Sequence, residues 1–187
     1  MHAVTAPPAA EWAWGDLFML RVPSGLVVTD QGQAIEFIPA HPGTEDADER
    51  EGSRAWLTVL APDGPELGGA GPSPRHTAAE AAPEAILRFA ASVGASLGPD
   101  GIHCVPDRGV TWARADFEAP EGRWQAIAIG WNDQVALFLV SAAGGGLGHA
   151  SDDGFLSAMD ALIGSWRPLE PVLDSLPARV LTDDDGF

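Results

Sequence analysis

Residues 123–142, RWQAIAIGWNDQVALFLVSA, constrain this chain more than any other stretch. Two apolar runs, 123–131 and 134–142, are separated only by Asn132 and Asp133. Asn and Asp tolerate positive φ, so the pair makes a two-residue hairpin turn. Runs this short and this continuously apolar read as strands buried on both faces. The chain must therefore supply covering layers above and below a central antiparallel hairpin.

The remaining elements fall around that hairpin. LFMLRVPSGLVV, 17–28, reads as a strand, a Pro-Ser-Gly turn and a second extended piece. QAIEFIPA, 33–40, and RAWLTVLA, 54–61, alternate with a period of two, as strands do. In 77–98 the residues Ile86, Phe89, Ala90, Val93 and Leu97 share one helical stripe. Thr77 and Glu80 fit a capping box, but Pro83 would then lie inside the helix, so the start is placed at Pro83. IHCVP and GVTWARADFEA (109–119) precede the hairpin and complete a meander. A second helix runs from a Ser151 N-cap through Phe155, Met159, Leu162, Ile163 and Trp166, and Arg167 and Pro168 close it. The expected fold is α+β: an antiparallel sheet of six or seven strands, in the order β-β-β-α-β-β-β-β-α, packed with two main helices. Residues 1–16 form an N-terminal arm, 17–169 a single domain, and 170–187 an acidic tail.

The charge restricts partners. Twenty-seven acids face ten basic residues, all Arg, for a net charge of −17. A chain this acidic opposes binding to phosphate backbones and anionic membranes, so no nucleic acid and no membrane partner is expected. It allows solubility or a basic protein partner. The absence of Lys beside abundant Ala, Gly, Pro and Arg reads as GC-rich, bacterial base composition. One cysteine, no basic leader and no run of about 20 apolar residues point to the cytoplasm.

Chemistry finds little support. Cys104 sits beside His103, but adjacent strand residues point to opposite faces, so His103 is badly placed to activate the thiol. Cys104 is expected to point inward as a small hydrophobe. The five histidines show no metal-ligand spacing, and neither the 45–51 acids nor Asp183–Asp185 make a calcium loop, so no metal or cofactor is expected. The glycines of 144–148 follow a hairpin strand rather than a βαβ unit, which leaves a flexible connection. No Gly-x-Ser-x-Gly elbow is present.

The order of elements resembles the PsbP-like fold. LFMLRVPSGLVV is similar to that family's opening strand and turn, QAIEFIPA and RAWLTVLA to its next two strands, and FLSAMDALIGSWRPL to its terminal helix. The likeness spans 17–169, with Leu26 where the family often carries an aromatic residue, and it transfers no functional residue. It implies a binding or assembly role without catalysis.

Recognition surface is what remains. Of seven tryptophans, Trp56, Trp112, Trp124 and Trp166 fall in periodic positions and read as core. Trp12, Trp14 and Trp131 lie in the arm and at a turn edge, and are candidate partner contacts. Glu45, Asp46, Asp48, Glu49 and Glu51, in the acidic loop 41–53, complete the set. The chain thus reads as a non-enzymatic acidic adaptor for a protein partner, with an inhibitor- or chaperone-like role for a basic client. A small-ligand binder, or an enzyme with a pocket between sheet and helices, is the alternative.

Overall fold

The computed structural model describes residues 10–40, 53–61, 77–142 and 150–169. A seven-stranded antiparallel sheet carries the order β3-β4-β5-β9-β8-β7-β6. Its strands are β3 (Leu26–Asp30), β4 (Ile35–Pro39), β5 (Arg54–Leu60), β6 (His103–Asp107), β7 (Val110–Ala119), β8 (Gly122–Trp131) and β9 (Gln134–Ala142). The 123–142 hairpin lies inside that sheet, and Asn132 at its turn has φ +45°.

Alternation along the strands sorts the core into two layers. Ala113, Ala115, Phe117, Trp124, Ala126, Ala128, Val135 and Leu137 face helix α1 (Ala78–Ser92). Val110, Ile127, Ile129, Trp131, Phe138 and Val140 face helix α2 (Ala150–Gly164) and a second, smaller sheet. That sheet has three strands in the order β1-β2-β10. They are β1 (Ala10–Trp14), β2 (Phe18–Val22) and β10 (Arg167–Pro168). The structure is thus α+β, with the large sheet covered on both faces.

α1 comes close to its sheet because the facing residues are small. Ala81, Ala82 and Ala85 oppose the alanines of β7 and β8. At Gly130 the backbone contact is tightest: a Cβ there would stand 2.2 Å from the Ala78 carbonyl oxygen.

Four expectations need correction. α1 begins at Ala78 rather than Pro83. The Thr77 Oγ1 accepts the Glu80 N–H at 3.3 Å, and the Glu80 carboxylate accepts the Thr77 N–H at 3.1 Å. Pro83 forfeits one helical N–H, while the turn before it buries Ala78, Ala81 and Ala82, which outweighs that loss. Ser151 is not the N-cap of α2, because the helix already includes Ala150. Arg167 and Pro168 do not merely close α2; they pair with Met19 and Phe18 of β2. Finally, 17–28 does not supply two strands to one sheet. β2 enters the small sheet and β3 the large one, with the Pro23–Gly25 turn carrying the chain between them.

Candidate interaction surface

The three candidate tryptophans have different settings. Trp12 and Trp14 are half-buried on β1, which pairs with β2 along its whole length. Their rings lie 5.7 Å apart, edge to face, and Trp14 stacks on Phe18 at 6.0 Å. Part of each indole therefore anchors the arm to the core, and the rest faces solvent. Trp131 is 1% exposed. Phe18 and Trp166 close over it at 5.6 and 5.0 Å, so it offers no surface to a partner and leaves the candidate set. Glu45, Asp46, Asp48, Glu49 and Glu51 lie outside the described residues.

Cys104 is also corrected. The whole of β6 is exposed, and Cys104 with it. Alternation does separate it from His103: the register sets Cys104 beside Ala113 on the α1 face and His103 beside Arg114 on the other. But α1 packs over β7, β8 and β9, one strand short of β6. Cys104 faces the covered side of the sheet beyond the end of its cover.

A depression of about 200 Å³ opens on the small sheet, lined by Glu11, Met19, Leu20, Arg21, Ser165 and Arg167. The Glu11 carboxylate stands between two guanidiniums, 3.1 Å from Arg167 and 3.7 Å from Arg21. All three are well exposed, so these pairs add little stability. Ser165 fastens the end of α2 to β2 by accepting the Arg21 N–H at 2.7 Å and donating to the Leu162 carbonyl at 2.6 Å. Sequence periodicity gave no sign of this cluster, since β1, β2 and β10 come from opposite ends of the chain.

The acids of the described residues stay outside the core. Ser53 is the one buried polar residue among those described. Ion pairs hold Glu36 to Arg54 at 3.1 Å and Glu84 to Arg88 at 2.9 Å. Asp30, Asp100, Asp107, Glu118, Glu121 and Asp133 have no cation within ion-pair distance among the described residues. No group of three His, Cys, Asp or Glu side chains suited to a metal occurs among the described residues. No helix described is long and apolar enough to cross a membrane.

No family model and no curated protein matches the chain. Among solved structures it is similar to cyanobacterial PsbP (CyanoP) from Synechocystis, with a TM-score of 0.52 at 12% identity, covering 90% of this chain and 96% of that one. A protein from Bacteroides thetaiotaomicron aligns at a TM-score of 0.39 and 10% identity, over 81% of this chain and 44% of its own, too loosely to bear on the fold. The fold is PsbP-like, as the element order implies.

Proposed function

We propose that this protein is a non-enzymatic accessory domain that binds a basic protein partner in the cytoplasm. The observation that carries the reading is uncompensated surface acid: a net charge of −17 on a chain whose described carboxylates lie outside the core. Such a field attracts and steers cationic partners. Two further features fit. Among the described residues the layers on either side of the large sheet are packed with apolar side chains, which favours recognition at the surface. An accessory role also accords with the PsbP-like fold. An uncrosslinked, exposed thiol suits a reducing compartment.

The test is affinity capture from the native host at low and high salt, read by mass spectrometry. A basic protein should be retained at low salt and released as the Debye length falls below about 8 Å. Neutralising the acidic run together (E45Q, D46N, D48N, E49Q, E51Q) should weaken that retention. Partners that are acidic, or whose retention ignores both salt and the neutralised run, would overturn the reading.

A further inference from the structure

Among the described residues the large sheet ends at two unpaired strands, β3 and β6, and they are not equivalent. In an antiparallel ladder, residues bonded to the neighbouring strand alternate with residues whose N–H and C=O point away from it. On β3 the phase is fixed at both ends. Gln31 N–H donates to the Ala34 carbonyl and Ala40 N–H to the Gly25 carbonyl, each at 2.9 Å. With Leu26 opposite Pro39 and Asp30 opposite Ile35, residues 27 and 29 bond to β4, whereas Leu26, Val28 and Asp30 face outward. The Leu26 N–H is already taken by the Pro23 carbonyl at 3.1 Å. Val28 and Asp30 keep their outward N–H and C=O groups without a partner among the described residues.

On β6 the corresponding row is blunted. The β6–β7 hairpin turns through Arg108 and Gly109, with φ of +47° and +82°, and closes at Asp107 opposite Val110. The same alternation then sends Cys104 and Pro106 outward. Pro106 has no N–H to offer, which is how sheet edges are protected from strand addition.

We propose that β3 is the docking edge, and that its occupant is an extended, cationic segment of the partner added as an eighth strand. This rests on the adaptor reading above and names the surface and the partner's chemistry. Charge supports that choice of occupant. At one end of the edge stands exposed Asp30, one of whose oxygens accepts the Gly32 N–H at 2.7 Å; among the described residues it has no cation and its other oxygen no partner. Beyond Asp30 the charge argument is global: the chain as a whole carries −17, which favours a cationic segment over an anionic one. A second copy of this chain would bring another −17 to the same edge and is disfavoured. Val27, 44% exposed on the α1 face next to half-buried Ile38, gives the added strand an apolar neighbour. β1 also borders solvent, but there Arg21 and Arg167 neutralise Glu11. Strand addition supplies affinity through the main chain and specificity through alternate side chains.

The experiment uses the full chain and fluorescent short peptides alternating Arg with Val or Glu with Val. The Arg peptide should bind and the Glu peptide should not. V28P removes an outward donor without touching the bonds to β4, and should weaken binding roughly tenfold, whereas C104P on the blunted edge should leave it unchanged. In the wild-type protein, whose fold is not in question, the Val28 and Asp30 amides should gain hydrogen-exchange protection when the Arg peptide is added. Equal binding to V28P and wild type, or unchanged exchange at both amides, would overturn strand addition. Salt-sensitive capture of a basic protein that persists in V28P would overturn the β3 site and leave the adaptor reading standing.

Discussion

Gly130 shows how far one hydrogen in place of a methyl can decide packing. Its backbone lies against the first turn of α1, where a Cβ would approach the Ala78 carbonyl to 2.2 Å and the Ala82 methyl to 3.3 Å. The obstacle at the shorter distance is backbone and cannot rotate aside. Gly130→Ala should therefore destabilise the protein by about 2 kcal/mol or more, read as a lower urea midpoint with unchanged slope. Cys104 carries a second expectation. Being exposed, it should titrate as one thiol in the native protein, to the same extent as after denaturation, when treated with a chromogenic disulfide. These residues also mark what sequence can tell. Alternation placed Cys104 on the opposite face from His103, because a two-residue period is a property of the strand alone. Whether a helix reaches over that face is a matter of α1's position and is not written in residues 101–109. Trp131 erred in the other direction. A residue beside a turn reads as exposed, yet Phe18 and Trp166 cover it from far away in the chain.

Among the elements, the β7–β8–β9 meander was the most legible, since its periods, its turn residues and its pairing are all local. α1 was half legible. The capping-box spacing was visible, but whether it outweighs Pro83 depends on how much the first turn buries, and that is decided by the sheet beneath. Thr77→Ala tests this point. It should cost about 1 kcal/mol and raise amide exchange in the turn before Pro83, leaving the rest of α1 protected. If the helix began at Pro83 the substitution would be silent. The division between two sheets was not legible. β2 and β3 are both short, largely apolar runs with only a tight turn between them, and the strand that claims one edge of β2 lies at Arg167 and Pro168. The candidate edge shares this limit: β3 is plain as a strand in sequence, but which of its backbone groups face outward follows from its register on β4.

For the molecule as a whole the excess of acid works against compaction. With −17 on the chain and several described carboxylates lacking a nearby cation, self-repulsion should be relieved by salt. The midpoint of thermal unfolding should rise as the ionic strength goes from about 0.01 M to about 0.15 M, over which the Debye length shrinks from about 30 Å to about 8 Å. A fall over that range would mean that the ion pairs Glu36–Arg54 and Glu84–Arg88 matter more than the net field. The same rise in salt should loosen a basic partner, so stability and binding should move in opposite directions.

The small sheet also sets a timetable. β2 is its middle strand, with the N-terminal β1 on one side and the C-terminal β10 on the other. Met19 and Arg167, which meet across it, are 148 positions apart. At about 5–20 residues per second, a ribosome finishes Phe18 roughly 7–30 seconds before it delivers the Trp166 ring that packs at 6.2 Å. During that interval the nascent chain carries an apolar strand with one flank open, and the cell must either shield it or tolerate it.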